Sequence, residues 1–244
     1  MTGIYADLHL RPNLKNSEQT SALVTKALQL GYRLVAVTFS PPYAREEIEK
    51  LRSLCKEAKL DITSRIDLQP KTPNELLAAL RRFRREFEVI AVLCWSKNVA
   101  RQAAKDRRVD LLNFPSFDYR QRFFDKAEAE LAASGLASLE IDMEPLLKLE
   151  GEMRIRLLST LRREAAVAKG FHVPIVVSSG VSDAFLMRKP REMAALATLF
   201  GIDMEYAQKA VSKIPVAIVK RNREKLEAKF VAPGIRVIRR GKDC

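Results

Sequence analysis

Runs of apolar residues alternate with amphipathic segments along this chain, and the unit recurs about every 27 residues. Seven runs have the β-branched, apolar character of buried strands: Ile4–Leu10, Leu34–Phe39, Asp61–Leu68, Glu88–Cys94, Val109–Phe114, Ala137–Met143 and Val173–Val177. The segments between them carry apolar residues at the spacing of one buried helix face. Such alternation predicts a parallel sheet that is covered by helices.

The strand count favours a TIM-barrel-like (β/α) barrel with about seven parallel strands, one fewer than the usual eight. An open, doubly wound sheet is the alternative. Residues Val231–Ile238 are a candidate eighth strand, but Pro233 and Gly234 interrupt it. We therefore expect residues 1–244 to form a single barrel-like domain in which residues 231–244 are an irregular tail.

Residues with helix-capping side chains mark where the helices are expected to begin. Four such starts precede apolar stripes: Asn16 with Gln19, Thr72 with Pro73 and Glu75, Ser96, and Asp118 with Gln121. The last of these predicts a helix with Phe123, Phe124, Ala127 and Leu131 on its inner face.

Three additional short helices are predicted after the seventh strand. Pro190 suits the first position of a helix, and Gly201 suits the residue just beyond its end. Asp203 caps a second helix that should stop near Ile214, and a third should begin at Pro215.

The chain is strongly basic. It has 43 Lys and Arg residues against 30 Asp and Glu residues, which gives a net charge of +13 and a pI of about 9.8. Ion-pair networks require both signs of charge, and membrane-surface binding favours a single basic amphipathic helix. Because the basic residues recur along the whole chain, RNA or DNA is the better expected partner.

Several basic residues fall in clusters that suit phosphate binding. The expected RNA-binding residues are Arg81, Arg84, Arg85, Arg101, Lys105, Arg108, Arg188, Lys189, Arg191, Lys213, Lys220, Arg221 and Arg223. About half of them should touch RNA, while the others only solvate the surface. Few aromatic residues are interleaved with them, which favours recognition of folded RNA by backbone and shape.

The sequence offers little for catalysis by the protein itself. Asp7 and His9 share one face of the first strand, but His172, the second of only two histidines, lies at the entry of strand seven. A metal centre with several histidines is therefore excluded, and we expect no catalytic and no metal-binding residues. The carboxylates that should lie near strand ends are Asp67, Glu140, Asp142 and Asp183, and they remain a weaker candidate Mg²⁺ site.

Other motifs are absent or generic. There is no G-x-x-x-x-G-K-[ST] or G-x-G-x-x-G loop, and the turn Ser178–Gly180 is too generic to define a phosphate site. Cys55, Cys94 and Cys244 are few, odd in number and widely spaced, which favours reduced thiols in a cytoplasmic protein. No apolar stretch approaches the length of a membrane span or a signal peptide, so no membrane partner is expected.

The chain resembles the archaeal ribonuclease P protein component 3 family. The resemblance spans most of the chain and depends on an ensemble of motifs: Tyr5–His9, Ala137–Ile141, Ser178–Gly180, Asp183–Pro190, Leu199–Gly201 and Ala210–Ser212 before Pro215. It implies a barrel similar to the PHP-type barrel. It also implies an RNA-binding subunit of ribonuclease P, the ribonucleoprotein that removes the 5′ leader from precursor tRNA.

The resemblance further implies that the RNA of the particle performs the chemistry with Mg²⁺ and that the protein binds no cofactor of its own. The implied partners are ribonuclease P RNA, precursor tRNA, ribonuclease P protein component 2 and the other protein subunits. Two alternatives stay open: a metal-dependent phosphoesterase on a related barrel, which would be active alone, and a sugar-phosphate enzyme that binds its ligand at Ser178–Gly180.

Overall fold

The barrel predicted from the alternating pattern is confirmed. A computed structural model of the chain describes residues 4–40, 45–56, 59–115, 117–227, 229–232 and 235–236. Seven parallel strands pair in chain order: β1 (Ala6–Leu10), β2 (Leu34–Phe39), β3 (Asp61–Leu68), β4 (Val89–Leu93), β5 (Leu111–Asn113), β6 (Ser138–Asp142) and β7 (Ile175–Ser178). This order gives a TIM-barrel-like α/β fold, and the open doubly wound sheet is wrong.

The barrel closes only at the carboxyl ends of its strands. There, one parallel bridge joins Leu10 to Val181, just beyond β7. The amide of Arg11 donates to the carbonyl of Val181 at 2.9 Å, and the amide of Gly180 donates to the carbonyl of His9 at 3.0 Å. The polar side chains that follow β1 and β7 are thereby held next to each other.

Ten helices accompany the strands within the described residues. They are α1 (Ser17–Gln29), α2 (Arg45–Lys56), α3 (Pro73–Phe83), α4 (Lys97–Lys105), α5 (Lys126–Ser134), α6 (Glu144–Lys148), α7 (Gly151–Gly170), α8 (Pro190–Thr198), α9 (Met204–Ala210) and α10 (Lys213–Leu226). Side chains of Asn16, Thr72, Ser96 and Asp203 accept hydrogen bonds from the first turns of α1, α3, α4 and α9, as predicted.

One predicted helix start is wrong. Asp118 caps only a single 3₁₀ turn over Tyr119–Gln121, and α5 begins after Asp125, which forms a capping box with Glu128. The chain is extended at Arg122, whose guanidinium is buried and donates to Glu164 at 2.9 Å and to the carbonyl of Phe114. This long-range ion pair keeps the segment out of a helix.

The last helices are also bounded differently from the prediction. Helix α9 stops at Ala210, and α10 begins at Lys213, so that Pro215 lies inside the first turn of α10. Proline is tolerated there because the first amides of a helix have no intrahelical acceptor.

Helix α10 plugs the end of the barrel at which the strands begin. Its Ile218 and Val219 pack among the inward-facing residues Ala6, Leu8, Leu34, Ala36, Val89, Ala91, Leu111 and Val176. Arg221 pairs with Asp110 at 2.9 Å, and Arg223 pairs with Glu88 at 2.5 Å. Apolar packing and ion pairs together fix α10 across this end.

The segment expected to be an irregular tail begins with two short strands. Phe230–Ala232 (β8) and Ile235–Arg236 (β9) pair antiparallel, apart from the barrel, and residues 237–244 lie outside the described part. Cys55 and Cys94 are free, buried thiols, and Cys244 is not among the described residues. No helix in the part of the chain that the structure describes is long and apolar enough to cross a membrane.

Candidate functional site: the barrel mouth and the basic surface

A cluster of ionised side chains fills the barrel just below its carboxyl end. It is built from alternate residues of the strands, because alternate residues point into the barrel. Its members are Asp7 and His9 on β1, Arg65 and Asp67 on β3, Asn113 on β5, Glu140 and Asp142 on β6, and Ser178 on β7. We call this set the buried cluster.

Arg65 is the centre of the buried cluster and is fully buried. Its guanidinium donates to both oxygens of Glu140 at 2.6 and 2.7 Å, and its Nε donates to Asp67 at 2.7 Å. Its Nη1 also donates to the carbonyl of Leu8 at 2.5 Å. A buried cation is stable only when its donors are paired in this way, so Arg65 holds three strands together.

His9 bridges two carboxylates on opposite sides of the cluster. Its Nδ1 lies 2.8 Å from Asp142, and its Nε2 lies 3.0 Å from Asp67. Burial and the nearby Arg65 charge oppose protonation, but the two carboxylates outweigh them and raise the pKa of His9 to about 10. Both ring nitrogens therefore donate, and His9 serves as a second fixed cation.

The carboxylates of the cluster respond in opposite ways to their surroundings. Burial favours the neutral acid, yet the charges of Arg65 and His9 hold the pKa of Asp67 well below its usual range. Burial dominates at Asp7 and raises its pKa, although its Oδ1 accepts from the amides of His9 and Ser179. The other Asp7 oxygen has no partner among the described residues, as expected for a protonated acid.

The predicted carboxylates only partly gather. Asp67, Glu140 and Asp142 meet in the cluster, whereas Asp183 is exposed and caps a 3₁₀ turn, Ala184–Leu186. Within the described residues, one group has ligand atoms close enough together for a metal ion: His9, Glu140 and Asp142. Its members are already engaged, because Arg65 occupies both oxygens of Glu140 and His9 bonds Asp142. A divalent ion there would have to displace one fixed cation and lie beside another, so the donor set does not fit a metal well.

A cavity of about 580 Å³ opens above the buried cluster at the barrel mouth. Its floor includes His9, Asp67 and Asp142, and its wall carries Trp95 and Phe117. The turn Ser178–Gly180 lies beneath: Ser178 donates to Glu140 at 2.7 Å, and the positive φ of Gly180 brings its backbone against Asp142. This turn is occupied with internal contacts, which leaves little for a sugar-phosphate ligand.

The predicted RNA-binding residues fall into two environments. Eight are exposed: Arg81, Arg85, Arg101, Lys105, Lys189, Arg191, Lys213 and Lys220. Five are half-buried and bond to other groups of the chain: Arg84 to Asp110, Arg108 to Asp106, Arg188 to the carbonyls of Phe185 and Met187, Arg221 to Asp110, and Arg223 to Glu88 and Asp61. The five have a structural task, and the eight leave their charge to solvent.

The end of the barrel closed by α10 carries a continuous basic surface. Arg84 and Arg221 both pair with Asp110, which brings the end of α3 against α10. Burial first, then the charges of Arg221, Arg84 and Arg107, lower the pKa of Lys225, as expected where cations crowd together. We call this surface the basic end; its members are Arg81, Arg84, Arg85, Arg107, Lys220, Arg221 and Lys225.

Sequence reasoning missed Arg65, Arg107 and Lys225. A signal for Arg65 was available, because a charged residue stood inside a buried strand with the same parity as Asp67. Nothing in the sequence indicated which acids would neutralise it. Arg188, Lys189 and Arg191 form a separate group around the start of α8, which we call the α8 cluster.

The fold and the site define a class: a TIM-barrel-like protein whose mouth is neutralised internally and whose outer surface is basic. The family model described as RNase P subunit p30 matches residues 4–227. Ribonuclease P protein component 3 of Methanosarcina barkeri is 32% identical over 235 residues, covering 96% of this chain and 95% of that protein. The chain belongs to the RNase P subunit p30 family.

Solved structures share the fold. A chain in the cryo-EM structure of archaeal ribonuclease P with mature tRNA superposes with a TM-score of 0.83 at 20% identity, covering 97% of this chain and 100% of that one. Histidinol phosphate phosphatase from Lactococcus lactis, solved with zinc, histidinol and phosphate, reaches a TM-score of 0.52 at 11% identity, covering 89% and 93%. These likenesses establish the barrel fold, which PHP-type enzymes also have.

Proposed function

We propose that this chain is an RNA-binding protein subunit of ribonuclease P and supports removal of the 5′ leader from precursor tRNA. The family match over residues 4–227 carries the proposal. The net charge of +13 supports it, because a polyanionic partner is what a one-sided charge excess attracts. The RNA subunit performs the chemistry with Mg²⁺, and the protein contributes fixed positive charge.

The basic end and the α8 cluster are the proposed RNA contacts. Exposed Arg and Lys side chains bind phosphates without the energetic cost of breaking an internal ion pair. Arg81, Arg85, Lys189, Arg191 and Lys220 are therefore the first candidates, and Arg101, Lys105 and Lys213 come next. The ion-paired Arg84, Arg108, Arg221 and Arg223 position their neighbours and turn toward RNA only with the donors left over.

The buried cluster supports a role in which the protein is not the catalyst. A catalytic metal site needs open coordination positions and ligands that are free to bind. Here Arg65 and His9 already neutralise the carboxylates, and the cluster links β1, β3 and β6. We assign it a structural task. Ribonuclease P RNA, precursor tRNA and ribonuclease P protein component 2 are the proposed partners, and free buried thiols fit the proposed cytoplasmic location.

Binding to ribonuclease P RNA is expected to weaken steeply as salt rises. With roughly four to eight phosphate contacts, the slope of log K against log salt concentration should lie between about −3 and −7, since each contact contributes about −0.7 to −0.9. Fluorescence anisotropy of labelled RNA at several salt concentrations measures this. An unrelated folded RNA of equal length should bind more weakly. Undetectable binding, or a slope near zero, would contradict the proposal.

A further inference from the structure

The barrel mouth has aromatic walls that phosphate binding by the basic surfaces does not use. Trp95 is 53% exposed and Phe117 is 48% exposed, and both line the cavity of about 580 Å³. Ligand pockets range from about 300 to 1,000 Å³, so the space suits a nucleotide. Exposed aromatic rings on a concave site are unfavourable in water, and a flat ligand that stacks on them removes that cost.

Hydrogen-bond acceptors dominate the floor of the same cavity. The side chains of Asp67 and Asp142 remain 10% and 14% exposed there, so a ligand can reach their oxygens. Glu144 and Asp118 also line the cavity, and His9 and Arg11 are the cations among its lining residues. The floor therefore prefers a group that donates hydrogen bonds, and it repels a phosphate.

The rim of the mouth has the opposite character. Arg120 and Arg156 lie against the ring of Tyr119, with guanidinium carbons 5.7 and 5.4 Å from its centroid. Both side chains are exposed, although Arg156 also pairs with Glu152. Because Tyr119 directly follows Asp118, which lines the cavity, these two charges stand beside the opening.

We propose that the barrel mouth binds one unpaired nucleotide of an RNA. The base enters the cavity and stacks on Trp95 and Phe117. Its exocyclic amino group donates to Asp67 or Asp142, and its phosphate remains outside at Arg120 and Arg156. This inference rests on the proposed RNA-binding function and names the feature of the RNA that the mouth recognises. Adenine, cytosine and guanine carry such an amino group and uracil does not, so the mouth disfavours uridine.

The chain supplies its own probe, because Trp95 is the only tryptophan. Stacking of a base on the indole should quench its fluorescence. We expect AMP and CMP to quench it saturably, and UMP to bind about tenfold more weakly because it lacks the amino donor to a carboxylate. Arginine amide and MgCl₂ serve as rival ligands, standing for a partner protein's side chain and for a metal ion.

A matched pair of variants separates stacking in the mouth from general effects. Phe117→Ala removes one wall and retains the reporter, and it should weaken AMP binding about tenfold or more. Phe185→Ala is the control, because Phe185 is 89% exposed and does not line the cavity. It should bind AMP as the unchanged protein does.

The proposal is overturned if no nucleotide gives saturable quenching, if UMP binds as well as AMP, or if Phe117→Ala binds AMP normally. It is also overturned if arginine amide or Mg²⁺ binds more tightly than AMP. None of these results affects the salt-dependent binding of ribonuclease P RNA. If that binding persists while AMP fails to bind, the mouth proposal fails and the proposed function stands; if RNA binding itself is absent, the proposed function fails.

Discussion

Replacing Arg65 with Met is expected to lower the free energy of unfolding by about 3–5 kcal/mol, the usual cost of breaking a buried ion pair from one side. The change removes a cation that is fully buried and bonded to Glu140 and Asp67. Glu140 itself is fully buried and would keep its charge without its main partner. Urea denaturation of the purified protein, followed by circular dichroism, measures the loss.

Two comparison variants test the cause of that loss. Arg108→Met removes an arginine that pairs with Asp106 at 2.6 Å but whose side chain is 34% exposed, and it should cost at most about 1 kcal/mol. Adding Glu140→Gln to Arg65→Met should restore part of the stability, because the unpaired charge is then removed. An Arg65→Met protein as stable as the unchanged chain would show that the buried cluster is not a structural centre.

Removing the α8 cluster is expected to weaken RNA binding more than any other surface change of equal size. Arg188→Ala, Lys189→Ala and Arg191→Ala together remove three charges around the start of α8. If all three contact phosphates, the slope of log K against log salt should become less negative by about 2–3. Anisotropy titrations across a range of salt concentrations give both affinity and slope.

A second triple variant controls for the loss of net charge. Lys50, Lys71 and Arg163 are exposed and belong to none of the proposed RNA contacts. Their replacement by Ala also removes three charges, but it should leave the slope nearly unchanged. Thermal unfolding should show that both triple variants remain folded. Equal weakening by the two would mean that RNA senses overall charge and not the α8 cluster.

Much of the barrel was predictable because local signals agreed with the final fold. Apolar runs of strand length, each followed by a capping residue, place all seven strands within about two residues of their observed bounds. The pattern failed between β5 and α5, where Asp118 had the signature of a cap. A contact between Arg122 and Glu164, 42 positions apart, decides that segment, and no local pattern contains it.

The buried cluster was less predictable for a related reason. The sequence places Asp7, His9 and Asp67 on inward faces, and this part of the site followed from strand parity alone. The partner of Arg65 is Glu140, 75 positions away, and only closure of the barrel brings the two together. The basic residues show the same limit: Lys220 and Arg221 are neighbours in the chain, yet Asp110 engages only Arg221.

The arrangement of charge explains how a fold shared with metal-dependent enzymes serves another role. In this chain the place where such a barrel gathers carboxylates is neutralised by Arg65 and by a protonated His9. The excess positive charge lies outside, on the basic end and the α8 cluster. The interior thus stabilises the barrel, and the surface is left to bind RNA.

Cleavage of precursor tRNA by the purified, nucleic-acid-free chain, compared with the particle reconstituted from ribonuclease P RNA, component 2 and this chain in Mg²⁺, tests the central claim most directly. The account predicts no cleavage by the protein alone with any added divalent metal, and removal of the 5′ leader by the reconstituted particle. Cleavage of the tRNA by the protein alone, abolished by a chelator, would contradict it.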